Sequence, residues 1–205
     1  MLTVSRTNAP TTVLTLDRVV SMSDYEDFAR GFAGIAKALA TWTWDGQTRG
    51  VFVTVAGPDG AAVPDGSKTL TNLIAAMQAV GDPHVPLRVQ TYEPALFRLS
   101  ATIDIDADYQ QDKVISDVTN ALRNEFSFDS RSFGQGVALS EIMAAMQSVQ
   151  GVISVDLNTL YRVGETPGLN TRLVAAMPQA GTEGPVQPAE LLILDPSPID
   201  LGIMS

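Results

Sequence analysis

DRVVSMSDYEDFARGFAGIAK, residues 17–37, is the most informative segment of this chain, because a reduced form of it returns later. Ser23-Asp24 leads to Gly34-Ile35, and Ser140-Glu141 leads to Gly151-Val152. The serine-to-glycine spacing is the same in both, and both landmarks are displaced by one offset (140 − 23 and 151 − 34 are each 117). Each copy reads as a helix that stops at a left-handed glycine and passes into a strand. One structural unit is used twice.

Around the first copy, Ser23 with Glu26 three residues on reads as a capping box, and Tyr25, Phe28, Ala29 and Phe32 share the inner side of the helix. Val13, Leu14 and Leu16 suggest a short strand before it. After it, residues 35–44 and 50–56 read as strands joined by a turn at Asp45-Gly46, with Val51, Val53 and Val55 on one face. The prolines and glycines from Gly57 to Gly66 form a double turn. Ser67 caps a second helix carrying Leu70, Leu73, Ile74 and Met77, which ends near Gly81. Leu87, Val89 and Thr91 alternate with polar neighbours as a last strand. The order strand, helix, strand, strand, helix, strand is the split pattern of a ferredoxin-like sandwich.

The second half opens on the cleanest alternation in the chain: Phe97, Leu99, Ala101, Ile103 and Ile105 against Arg98, Ser100, Thr102, Asp104 and Asp106. Asp108 is placed to cap a helix with Val114, Ile115, Val118, Leu122 and Phe126 inside. Leu139, Ile142, Met143 and Met146 mark the next helix, and residues 152–160 the strand after it. From Gly164 to Pro188 the composition turns to Gly, Pro, Thr and Gln, a long loop or arm. Leu191 to Leu194 form one more strand. The expected fold class is α+β: two small ferredoxin-like-type sandwich domains from a partial internal duplication, plus an extended C-terminal arm. The boundaries are 1–93 for the first domain, 94–163 with 186–195 for the second, 164–185 for the loop and 196–205 for an extended tail.

Bulk chemistry narrows the function. A net charge of −10 with scattered Lys and Arg opposes nucleic-acid binding, which needs clustered cations. No apolar run approaches the roughly 20 residues that cross a bilayer, and the first ten residues lack a signal-peptide core. The expectation is a protein assembled in the cytoplasm, without membrane insertion. The absence of cysteine removes disulfides, thiolate metal sites and cysteine nucleophiles.

Site-like residues have ordinary explanations. Asp104, Asp106 and Asp108 have calcium-loop spacing, but Tyr109 stands where that loop needs glycine and Ile115 where it needs glutamate. His84 is the only histidine and lies between prolines with no nucleophile elbow in the chain. The glycines of 57–66 match no phosphate-binding fingerprint. The expectation is therefore no catalytic residue, no metal and no cofactor. Trp42 and Trp44 share a strand face with Ala36, Ala38 and Ala40, either as core rings beneath the helices or as interface anchors. Leu191, Leu192 and Ile193, with Ile199, Leu201 and Ile203 of the proline-broken tail, complete the candidate partner surface.

With these residues laid out, the chain resembles the C-terminal part of the baseplate J-like family, in the branch of baseplate assembly proteins. The resemblance runs over residues 16–162 and into the tail. It rests on Leu16-Asp17-Arg18-Val19-Val20-Ser21, Asp24-Tyr25-Glu26-Asp27-Phe28-Ala29, Gly34-Ile35-Ala36-Lys37-Ala38 and Val53-Thr54-Val55-Ala56-Gly57. Phe133-Gly134, Leu139-Ser140-Glu141, Gly151-Val152 and Ala189-Glu190-Leu191-Leu192-Ile193-Leu194-Asp195 continue it.

The resemblance implies a structural wedge protein of a contractile tail or phage-like contractile injection system. Its implied partners are other wedge subunits, the hub and spike, and sheath-proximal proteins, in a six-fold hetero-oligomer that rearranges when the sheath contracts. Family members carry a further N-terminal portion, so a fragment or a shortened homologue is expected. The alternative from a different class is an oligomeric ferredoxin-like module that binds a small regulatory ligand. That reading needs a concave site with convergent polar groups, and the sequence supplies none.

Overall fold

The computed structural model describes residues 20–44, 49–181 and 184–204. The chain divides into two compact units, 1–93 with 177–189 and 94–176 with 190–205. The expected strand at Val13 to Leu16 and the turn at Asp45-Gly46 lie outside the described residues.

In the first unit, helix α1 (Met22–Arg30) precedes strands β1 (Lys37–Trp44) and β2 (Arg49–Ala56). A short 3₁₀ turn (Pro58–Gly60), helix α2 (Lys68–Val80) and strand β3 (Leu87–Thr91) follow. The capping box of α1 sits two residues before the expected one. Ser21 Oγ accepts from the Asp24 amide at 3.2 Å, and Asp24 Oδ2 accepts from the Ser21 amide at 2.8 Å. Glu26 is thereby freed to accept the Ala40 amide of β1 at 3.0 Å, tying helix to strand. Ser67 caps α2 through the Leu70 amide, as its hydroxyl and position require. Tyr25 and Ala29 of α1 and Leu70, Leu73 and Met77 of α2 pack with Ala38, Ala40, Val51, Val53, Val55 and Val89 in one core.

The strand order of this sheet is β1-β2-β3, with β1 and β2 antiparallel and β2 and β3 parallel neighbours. A ferredoxin-like split pattern would put another strand between the two that α2 connects. Here Val51 to Val55 register directly against Leu87 to Thr91, so the first sheet departs from the expected topology. The helix crossover determines the hand of a connection, not how many strands it passes over.

The second unit is organised on strand β4 (Glu93–Ile105), which is longer at its start than its alternation suggests. Helix α3 (Gln111–Glu125), strand β5 (Val137–Ala138), helix α4 (Leu139–Gln147) and strand β6 (Val152–Arg162) follow. The cap of α3 is Gln110; Asp108 instead gives its amide to Asp106 Oδ1 in a local turn. Strand β6 pairs antiparallel with β4 from Phe97 to Ile105. Ala95, Phe97, Leu99, Ala101 and Ile103 of β4 meet Val114, Val118 and Leu122 of α3 and Ile142 and Met146 of α4 in a second core.

The segment expected as a long loop or arm contains short strands. Strand β7 (Arg172–Leu173) pairs with β5, and β8 (Gln179–Gly181) pairs with β9 (Gly184–Gln187). Residues 186–189 belong to the first unit rather than the second: the Ala189 amide donates to the buried Thr54 hydroxyl at 3.0 Å. Strand β10 (Glu190–Leu194) then joins β4, and the expected free tail is not free. Strand β11 (Asp200–Ile203) lies parallel to Ser100 to Ile103 of β4. The alternating Ile199, Leu201 and Ile203 that suggested an external partner suit a sheet edge of the same chain.

The repeat is visible residue by residue. Helices α1 and α4 have nine residues each, and both lead to a glycine with positive φ, +91° at Gly34 and +94° at Gly151. The Ile35 amide returns to Phe32 O at 3.1 Å, and the Val152 amide returns to Val149 O at 3.2 Å. Asp24 and Glu141 occupy the same helical position and each accepts a capping amide. What is duplicated is this helix, turn and strand; the sheets around the two copies differ.

Candidate interaction surfaces

In β1, Ala38 and Ala40 are buried beneath the helices, while Trp42 and Trp44 on the same face are 44% and 56% exposed. The strand outruns the helix layer, so the two rings sit beyond the core. The Arg49 guanidinium carbon lies 4.4 Å from the Trp42 ring centroid, and Arg49 is the register partner of Trp44. A cation stacked on one indole and opposite another makes an amphipathic patch of the kind that anchors protein interfaces.

The six other expected interface residues separate by burial. Leu191 and Leu192 are fully buried inside the chain and offer nothing to a partner; this corrects their place in the expected surface. Ile193 is half-buried. Ile199 and Leu201 pack against the second core, leaving Ile203, 40% exposed, at the outer end of β11. The apolar run that predicts β10 does not distinguish a buried strand from a sticky one.

Three arginines that no sequence motif marks organise the second unit. Arg131, 1% exposed, donates from Nη1 to Glu141 Oε1 at 2.5 Å and from Nη2 to Gly136 O at 2.6 Å, over the Phe126 ring. Arg162 makes two hydrogen bonds to the Glu190 carboxylate, at 2.6 and 3.1 Å. Glu190 Oε2 also accepts the Ala176 amide at 2.7 Å. Burial pushes the Glu190 carboxyl up, but the Arg162 and Ala176 hydrogen bonds with the Arg162 charge outweigh it and hold the group below its ordinary value. Arg123 donates to three successive carbonyls, Asp195 O at 2.6 Å, Pro196 O at 3.0 Å and Ser197 O at 2.5 Å. Asp195 Oδ1 accepts the Ser197 amide at 2.7 Å, and Arg98 Nε lies 3.3 Å from Oδ2. Hydrogen bonds from Ser197, then Arg98, hold the Asp195 carboxyl below its ordinary value.

Among the described residues, no group of three or more His, Asp or Glu side chains is placed to hold a metal ion. No described helix is long and apolar enough to cross a membrane. His84 gives its amide to Asp82 Oδ1 in an exposed turn.

The αββαβ unit beginning at α1 also has a counterpart among known families. Residues 17–90 match the Baseplate J-like central domain. This baseplate J-like segment contains α1, β1, β2 and α2 and ends within β3, so the tryptophan pair lies inside it. A chain in the six-fold symmetrised cryo-EM structure of the anti-feeding prophage baseplate shares the fold over 92% of this chain, with a TM-score of 0.63 and 11% identity. The alignment covers 40% of that longer chain. No curated protein matches the chain.

Proposed function

We propose that the chain is a structural component of the baseplate of a contractile injection system or phage tail-like particle. The observation that carries this reading is the coincidence of two independent likenesses. The baseplate J-like match falls on the first unit, and a baseplate chain shares the fold of nearly the whole sequence. More specifically, the chain is a wedge subunit placed around the hub and spike in a six-fold assembly built in the bacterial cytoplasm. It touches neighbouring wedge and sheath-proximal proteins and rearranges against them on contraction, a change between two discrete interface arrangements. Trp42, Trp44 and Arg49 are the contacts proposed for one neighbour.

The test is to tag the chain in its host, sediment high-mass particles and probe for sheath and tube proteins in the same fraction. Co-sedimentation that is lost on deleting the hub gene supports the baseplate reading. A tagged chain that stays in the light fraction while intact particles sediment overturns it.

A further inference from the structure

The repeat aligns helices α1 and α4 end to end, because Met22–Arg30 and Leu139–Gln147 differ by the same offset of 117 as the turn glycines. That offset carries Glu26 onto Met143 and Ala40 onto Leu157. In the first copy, Glu26 reaches from helix to strand and accepts the Ala40 amide at 3.0 Å, an amide that the ladder to β2 does not use. The carboxylate thereby closes the edge of β1 near its middle. In the second copy the corresponding side chain is a thioether, a weak acceptor at best.

Strand β6 has its long pairing on one side only, with β4. The Met204 amide donates to Ile103 O, which turns the ladder groups of Ile103 toward β11 and those of Thr102 and Asp104 toward β6. Their register partners Asp156 and Ser154 therefore face β4, and the amides and carbonyls of Val155 and Leu157 point to the outer edge. Leu160 shows that this edge accepts chain: its amide donates to Gly168 O at 2.8 Å, and its carbonyl accepts the Asn170 amide at 3.1 Å. The bridge ends there. Among the described residues, none bonds to Val155 or Leu157 from the outer side.

An open row of strand amides and carbonyls is complementary to another extended segment. The side chains beside it define that segment. Ile153, on the same face as the buried Val155 and Leu157, is 60% exposed at the open end, while Asp156 and Asn158 are exposed on the opposite face. An incoming strand with apolar residues on the Ile153 side and Lys or Arg on the Asp156 side satisfies both faces.

We propose that the outer edge of β6 from Ile153 to Leu157 is a strand-addition site for an extended segment of a neighbouring baseplate protein, in which apolar residues alternate with Lys or Arg. Met143, standing where the first copy has glutamate, leaves that edge open. The source of the strand rests on the baseplate reading; the open edge does not.

Hydrogen exchange of the full-length chain, free and in sedimented particles, tests the proposal. In the free chain the Leu157 amide is expected to exchange about tenfold faster than the Ala40 amide, the effect of one hydrogen bond to a charged group. In particles the Val155 and Leu157 amides are expected to slow by about tenfold. Met143→Glu supplies the missing carboxylate and is expected to slow Leu157 exchange in the free chain and to lower recovery with particles, whereas Met143→Leu changes neither. Asp156→Lys, on the exposed face and clear of the core, is expected to lower recovery by repelling the basic strand. A Leu157 amide as slow as Ala40 in the free chain overturns the proposal, as does a sedimented chain whose Leu157 amide is no slower than in the free one. Recovery of Asp156→Lys equal to that of the unsubstituted chain overturns the stated chemistry of the strand. A chain that stays in the light fraction while intact particles sediment overturns the baseplate reading and this source of the strand with it, and the free-chain comparison of Leu157 with Ala40 still decides whether the edge is open.

Discussion

Arg131 Nη1 lies 2.5 Å from Glu141 Oε1, and the same glutamate accepts the Ala138 amide at the start of α4. A buried cation thus fixes the carboxylate that caps the second copy of the repeated helix. In the first copy, Asp24 caps α1 with no buried arginine behind it among the described residues. Removing a partner from a buried pair leaves the other uncompensated, whereas a glutamate that is one-third exposed can rehydrate. Glu141→Ala takes the carboxylate away from the buried Arg131 charge and is expected to cost about 3 kcal/mol. Arg131→Ala leaves a carboxylate that can rehydrate and is expected to cost about 1 kcal/mol, the usual worth of lost hydrogen bonds. Urea unfolding of the two variants measures the difference, and equal losses would show that the pair does not act as described.

The two repeat glycines should respond unequally to alanine. Both require positive φ, which costs an L-residue about 1–2 kcal/mol. A Cβ on Gly34 would meet Thr69 Cγ2 at 3.2 Å, a flexible neighbour. On Gly151 it would lie 2.8 Å from the Tyr109 ring and 3.0 Å from Val114, adding about 1–3 kcal/mol of overpacking. Gly151→Ala should therefore unfold at lower denaturant than Gly34→Ala.

Acid should weaken the protein through Glu190 and Asp195. Both have folded-state values held below the ordinary ones, which are 4.5 and 3.8. A depressed carboxyl contributes stability that is present above its unfolded value and is lost as pH falls through its folded value. The loss from Glu190 therefore begins near pH 4.5 and continues below it. Glu190→Gln should flatten the acid side of a pH-stability curve between pH 5 and 3, about the window of that titration. An unchanged acid limb would mean that the Arg162 pair is not sensed by folding.

Exposed tryptophans and buried leucines should behave oppositely. Trp42→Ala and Trp44→Ala are expected to change stability by about 1 kcal/mol or less, the worth of an exposed cation–π contact. They are also expected to reduce recovery of the chain with sedimented particles. Leu192→Ala should cost about 2–5 kcal/mol, as deletions in a packed core do. If the tryptophan variants unfold as readily as Leu192→Ala while particles still recruit them, the rings belong to the fold and not to an interface.

Helix periodicity, strand alternation, the Ser67 cap and the repeat are all legible in the amino-acid sequence. They depend on residues three or four apart, or on alternate positions, whose packing follows from local geometry. Even local patterns mislead where two frames are chemically equivalent. Ser21 with Asp24 and Ser23 with Glu26 both present a hydroxyl and a carboxylate at capping distance, and the fold uses the first while Glu26 reaches β1.

The candidate surface is legible in the sequence only as a set of apolar residues. Trp42 and Leu192 are both large and apolar on strands, yet one is nearly half exposed and the other is sealed, because exposure depends on what the rest of the chain lays over each. Local pattern suffices to set which segments become helix and strand, and to show that one helix-turn-strand piece occurs twice. Long-range packing sets the parallel pairing of β2 with β3, the seating of β11 on β4, and the roles of Arg123 and Arg131. Those outcomes rest on partners that chain position does not bring together: Arg123 reaches Asp195 across 72 positions and Arg98 reaches Ser197 across 99. No local period encodes such a meeting; it follows from which surfaces the assembled sheet leaves open for a long side chain to fill.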